Sequence, residues 1–227
     1  MAVAVVVVVA IAFFAFSGGD DGGEPSDDSS KVPSVSSSAA ARNLAKRVTL
    51  TPKDWGASFV RDSPYEITDR YWAVVDQDCK ITSESPTAAL DIFIRNAKEP
   101  DYVAFAQSTV TTYKGADSAE RAVARRREPL QRCPTQNVAG SKARVENVHE
   151  VDVPDVKGFD DLVAEEGHDT VDSEGQKADS YYTLLTASKG QFVLQAYVTR
   201  GGSETQEKTR DEAVNALSLM LSRLESS

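Results

Sequence analysis

Histidine, cysteine, methionine and tryptophan each occur only twice in 227 residues, and aromatic residues make up 7%. His149 and His168 have no second His or Cys at metal-ligand spacing; a glutamate three residues before each (Glu146, Glu165) makes a pair, not a site. Positive charge is also scarce. Lys and Arg number 25 against 35 Asp and Glu, a formal net charge of −10. That excludes the basic footprint nucleic acid requires, and it is the wrong sign for docking by charge onto anionic lipid. The chain has no G-x-S-x-G elbow, no S-x-x-K with a supporting motif, no phosphate-cradling glycine loop and no internal repeat. It therefore reads as a non-enzyme without a cofactor or metal. A dispersed Ser/His/Asp triad stands as the rival reading, an envelope hydrolase, because triad members need not be neighbours in sequence.

The most informative segment that is present lies at the start. Residues 2–16 are all apolar, AVAVVVVVAIAFFAF. As a helix they span about 22 Å, short of the ~30 Å hydrocarbon core, which suits a signal-peptide core; retained as part of a longer segment, the run is a membrane anchor. Both outcomes export the remainder of the chain, to the outer face of the cell membrane or into the medium. Residues 17–42 are rich in Ser, Gly, Asp and Pro and read as a disordered linker reaching roughly 25–30 Å. Residues 43–227 are then one extracytoplasmic domain, soluble and monomeric on its acidic surface.

Within that domain the pattern predicts an α+β fold, a mainly antiparallel sheet with helices packed on it. Thr51-Pro52-Lys53-Asp54 starts a short helix running to about Val60. Strands are expected at Tyr71–Val75, Leu90–Arg95 and Tyr102–Tyr113. Asp117 with Glu120 caps a helix that Pro129 kinks and Pro134 ends. Arg144–Val153 reads as a strand with a bulge. Ser180–Ala187 and Gln191–Thr199 form a hairpin with Phe192, Leu194, Ala196 and Val198 on one face. Thr209 with Glu212 starts a last helix whose stripe of Ala213, Val214, Leu217, Met220, Leu221 and Leu224 must pack on the sheet. The acid-rich stretch from Glu150 to Glu174 matches no EF-hand spacing and reads as a solvated loop. Cys79 and Cys133 are too far apart for a C-x-x-C redox pair. An even count in an exported chain predicts one disulfide, closing a loop of about 55 residues and contributing roughly 4 kcal/mol.

Two sets of side chains have the chemistry of a ligand contact. Arg121, Arg125, Arg126, Arg127 and Arg132 load the middle helix with guanidinium groups able to clamp a carboxylate or phosphate. Tyr181, Tyr182 and Tyr197 on the hairpin, with Trp55 and Trp72, can line an amphipathic pocket. Arg121, Arg125, Arg126, Tyr181, Tyr182 and Tyr197 are the candidate contacts.

The order of elements carries a resemblance. Leu50-Thr51-Pro52 with Asp54 opens a helix, and a Cys comes after the next strand. A long strand ends in Val110-Thr111-Thr112-Tyr113 and leads into Ala119-Glu120-Arg121-Ala122 and a Leu130-x-x-Cys133 end. A hairpin and an amphipathic helix close the chain. Over about residues 48–225 this resembles the PknH-like extracellular domain, the sensor region of actinobacterial receptor serine/threonine kinases and of stand-alone secreted and lipoprotein relatives. The resemblance implies a central antiparallel sheet, a cleft suited to a ligand, and no catalysis. The expected role is a binding or sensor module of the cell envelope that recognises a small molecule or a partner protein. The chain departs from that pattern in having two cysteines rather than four, no lipobox and no kinase domain.

Overall fold

The computed structural model describes residues 32–68, 71–100, 103–141, 143–173, 176–202 and 204–227, with side chains described outside 171–178. The apolar run 2–16 lies outside these residues, as does most of the predicted linker. Among the described residues no helix is long and apolar enough to cross a membrane.

Ordered chain begins earlier than the boundary at residue 43. Helix α1 (Ser38–Val48) is capped by the Ser37 hydroxyl, which accepts from Ala40 N at 3.2 Å. It buries Ala41, Leu44, Ala45 and Val48, a spacing of three and four that straddles the linker boundary and is invisible when the alanines are counted with the linker. Helix α2 (Pro52–Trp55) starts as expected. The Asp54 carboxylate accepts from Thr51 N at 2.6 Å and from the Thr51 hydroxyl at 2.8 Å. It ends after one turn at Gly56, whose φ of +153° a side chain rarely adopts, so the predicted run to Val60 is shorter.

The remaining elements are β1 (Val60–Ile67), β2 (Trp72–Val75), β3 (Lys80–Glu84), β4 (Ala89–Lys98), β5 (Ala104–Tyr113), α3 (Ala116–Ala124), α4 (Arg127–Arg132), β6 (Thr135–Val138), β7 (Ala143–Glu150), β8 (Asp161–Ser173), β9 (Gln176–Lys189), β10 (Phe192–Gly201) and α5 (Gln206–Glu225). All ten strands join one sheet in the order β1-β4-β5-β10-β9-β8-β7-β6-β3-β2. Every neighbouring pair is antiparallel except β3 with β6. The fold is thus sheet-dominated, with helices on both faces and a disulfide between Cys79 and Cys133.

Strands β8, β9 and β10 sit mid-sheet and are covered on both sides, so successive residues feed different cores. Phe192, Leu194, Ala196 and Val198 of β10 join Leu185 and Ala187 of β9 under α1 and α5. Val193, Tyr182 and Val163 face the other way, under α3 and α4. Helix α5 lays Ala213, Ala216, Leu217, Met220 and Leu224, all nearly fully buried, on the first face.

Several local expectations shift. Helix α5 begins a turn before the predicted Thr209–Glu212 box: Thr205 is the cap, and Thr209 is buried inside the helix, 2.8 Å from the Thr183 hydroxyl. The predicted Asp117–Glu120 box does not form either. Gly115 is the cap, and Asp117 lies in the first turn, where its charge suits the helix dipole. The bulge in β7 is present, as a register shift between Glu146 and His149. The largest correction is the acid-rich stretch, most of which is strand β8. Its carboxylates find partners distant in sequence: Arg210 forks onto the buried Glu166 at 2.6 and 2.7 Å, and Arg127 onto Asp161 at 3.0 and 2.7 Å. Strand pairing and long-range arginines hold what local composition gives to a loop.

Cys133, fully buried at the end of α4, reaches Cys79 in the β2–β3 turn across 54 positions of sequence. In the chain-entropy treatment a loop of that length is worth about 4 kcal/mol. Urea melts with and without reductant should differ by several kcal/mol, and Cys133→Ser should reproduce the reduced value without responding to reductant itself.

Candidate functional site

Below the α3–α4 face the sheet forms one wall of a cleft with a volume of about 440 Å³. The β2–β3 hairpin supplies the opposite wall with Trp72, Val74, Val75, Thr82 and Glu84. Helices α3 and α4 supply Ala122, Arg125, Arg126, Pro129 and Arg132, and Glu165 of β8 lies in the floor. Two features fix the hairpin against α4. One is the disulfide. The other is Arg132, which donates to the carbonyls of Gln77 at 2.7 Å and Asp76 at 3.1 Å. The Asp76 carboxylate in turn holds the tip of the hairpin, accepting from Asp78 N and Lys80 N at 2.9 Å each.

The floor is polar and aromatic. Tyr182 donates to Glu165 at 2.6 Å, Tyr197 donates to Asp169 at 3.1 Å, and the two tyrosine rings lie 5.7 Å apart. Glu165 and Asp169 are four apart on β8, so the pleat points both to this face. The Tyr182 ring crosses β8 to reach Glu165, and Gly167 makes that crossing possible: a Cβ there would stand 2.6 Å from Tyr182 Cε1. Burial raises the Glu165 carboxyl above its ordinary value, against the opposing charge of Arg126 and the Tyr182 hydrogen bond. Asp169 is pushed up to about 6 by burial, partly offset by Tyr197 and by His168. Both tyrosine hydroxyls lie well above their ordinary value, first from burial and then from the carboxylates they serve.

Above the floor sits Arg126. Its guanidinium lies over the Trp72 ring at 4.9 Å, and its Nε is buried without a hydrogen-bond partner among the described residues. Burial lowers its pKa, with Glu165, Tyr113 and Tyr182 acting in the opposite sense. The Tyr113 hydroxyl is also buried without a partner among the described residues and is pushed up to about 12, chiefly by burial.

Of the six predicted contacts, Arg125 and Arg126 line the cleft, Arg125 forking onto Glu84 at 3.1 and 3.0 Å, while Tyr182 and Tyr197 pack beside Glu165 without lining it. Arg121 points to solvent, its guanidinium donating to Ser118. Tyr181 lies on the opposite face, stacked on His168 at 4.9 Å, because neighbours on a strand alternate. Trp55 packs with Phe59 elsewhere. Glu165 lines the cleft although sequence reasoning does not make it a contact, and Asp169, Tyr113 and Gly167 lie in the polar cluster around it. Composition assigns the two acids to a loop; their spacing of four on an extended segment is the signal that points the other way. Among the described residues no three His, Cys, Asp or Glu side chains gather as a metal site.

A solved structure has this arrangement of elements. The chain shares the fold of the extracellular domain of PknH from Mycobacterium tuberculosis. The TM-score is 0.55 at 16% sequence identity, covering 80% of this chain and 97% of that one. No family model matches the sequence, and no curated protein matches it. At 16% identity the likeness concerns the fold, and the chemistry of the cleft must be read from this chain's own side chains.

Two substitutions test the floor. Asp169 has a folded pKa of about 6 against an ordinary 3.8, so the native state gains a proton that the unfolded chain does not hold between those values. Its ionised form therefore destabilises the fold at neutral pH by up to about 3 kcal/mol, a penalty relieved as pH falls from 7 towards 4. Asp169→Asn should be the more stable protein in urea at pH 7, with its advantage shrinking towards pH 4. Gly167→Ala should displace the Tyr182 ring and cost about 1–3 kcal/mol. Gly115→Ala, where no atom lies within 4 Å of the new Cβ, should cost far less in the same melts.

Proposed function

We propose that this chain is an extracytoplasmic binding module of the sensor-domain type, which recognises a small envelope ligand in the cleft between the β2–β3 hairpin and helices α3 and α4. The apolar run 2–16 exports it, as retained anchor or cleaved signal, and puts it at the outer face of an actinobacterial-type cell membrane or in the medium. The observation that carries the reading is the cleft: a concave site with Trp72 as an aromatic wall, a disulfide-fixed rim, and a polar lining in which Arg126 and Glu165 are the partly buried charges. The fold it shares with an extracellular domain supports the compartment, as does the disulfide. Binding without chemistry is favoured over hydrolysis at the cleft because neither histidine lines it. His149 Nδ1 lies 2.7 Å from the Asn147 carbonyl, and His168 stacks on Tyr181 beside Asp179.

Thr82 lines the cleft from β3 on the same face as Trp72 and Glu84 and is half-buried, so Thr82→Trp should fill the cleft. Thermal melts in small-molecule fractions of the envelope should show a fraction that raises the wild-type Tm by several degrees and leaves Thr82→Trp unmoved. Equal protection of both proteins, or of neither, counts against the cleft. Stoichiometric labelling of one serine by a fluorophosphonate would favour the hydrolase instead.

A further inference from the structure

The charges around the cleft are unequal in how well they are satisfied. Arg125 is matched by Glu84 through two hydrogen bonds. Arg132 is spent on two carbonyls, and the Asp76 carboxylate on two backbone amides. Two groups are left over. Arg126 makes no hydrogen bond among the described residues, and its Nε is cut off from water; Trp72 holds the guanidinium plane by its face, which uses none of the five donors. Glu165 accepts only from Tyr182, which leaves its second oxygen unbonded among the described residues. Each is the opposite charge that acts most strongly on the other, yet no Arg126 nitrogen lies within 4.0 Å of a Glu165 oxygen. A cation and a carboxylate thus face each other across a gap at the end of the cleft, each partly desolvated. The buried Tyr113 hydroxyl, also unpartnered, faces the same arginine.

A purely anionic ligand would satisfy Arg126 and repel Glu165; a purely cationic one would do the reverse. A ligand carrying both charges close together satisfies both and closes the gap. Resting on the reading of the cleft as a ligand site, we propose that its floor binds a zwitterionic ligand of the amino-acid class, with the carboxylate on the Arg126 guanidinium and the ammonium on the Glu165 carboxylate. The remaining volume takes the ligand's side chain or an amide-linked extension along Trp72 and Val74.

The test is calorimetric titration of the full chain with the natural amino acids, each beside its des-amino acid and its decarboxylated amine. At least one amino acid should bind, and about tenfold or more tighter than either single-charge analogue, the usual worth of a charge-assisted hydrogen bond. Arg126→Gln should lose that preference. Glu165→Gln should bind the des-amino acid as well as the amino acid. Arg121→Gln, outside the cleft, should match wild type. Equal affinity of zwitterion and analogues in the wild type overturns the assignment even if a variant fails to fold, as does absence of binding by every amino acid. If an envelope fraction still protects wild type and not Thr82→Trp while no amino acid binds, the zwitterion is wrong and the cleft stands; if neither occurs, both fail.

Discussion

Burial of β8, β9 and β10 on both faces is the constraint on which the rest of the molecule depends. A strand in that position has no solvent side, so each alternate residue must suit a different core. On one face the requirement is met by Phe192, Leu194, Ala196, Val198, Leu185 and Ala187, closed by α1 and α5. On the other the same strands carry Glu165, Asp169, Tyr182 and Tyr197, and α3 closes over them incompletely. One face is a dry core that fixes the fold. The other is a polar floor that can exist only because the first holds the strands in register.

How much of this is legible in the sequence divides the same way. The apolar face is: β10 alternates visibly, and α5 repeats its apolar residues at three and four. The disulfide is legible from the even cysteine count and the apolar run 2–16. The polar face is not, because its acids and their partners are far apart in sequence. Nothing near Glu165 announces Tyr182 or Arg126, and nothing near Asp169 announces Tyr197. A stretch dense in carboxylates is a loop unless the fold supplies such partners, and only the three-dimensional pairing of β8 with β9 shows that it does. The candidate residues divide by simple periodicity. Arg121 and Arg125, four apart, share one side of α3, while Ala122 and Arg126 share the side over the floor. Tyr181 and Tyr182, adjacent on a strand, must part. Both distinctions become available once the floor-facing side is known, and that knowledge is tertiary.

The disulfide and the cleft belong to one design. The β2–β3 hairpin lies at the far end of the sheet and holds on through β6 alone, by two register partners in parallel. Such a short attachment would leave the cleft's outer wall to open and close. The Cys79–Cys133 bond and the Arg132 contacts to Asp76 and Gln77 tie that wall to α4, so the spacing between Trp72 and Arg126 is set by covalent and charge-assisted links and not by the sheet. At 16% identity to the extracellular domain of PknH, the scaffold is shared while the residues facing the cleft are free to differ.

The cost of the floor bears on what it is for. A carboxylate and a guanidinium withdrawn from water without closing on each other destabilise the fold, and apolar residues of similar volume would serve the packing better. Structural burial of charge elsewhere in this molecule takes a different form. Glu166 with Arg210 and Asp91 with Arg42 are bidentate pairs with their bonding satisfied. Arg200 bridges Glu99 and Glu212 in the same way. The chain therefore closes its buried ion pairs where their task is to hold elements together. Arg126 and Glu165 depart from that habit within the cleft, beside a flat aromatic wall and an unpartnered tyrosine hydroxyl. A local rule broken at a concave site, and kept in the scaffold around it, is the physical observation on which the proposed ligand site rests.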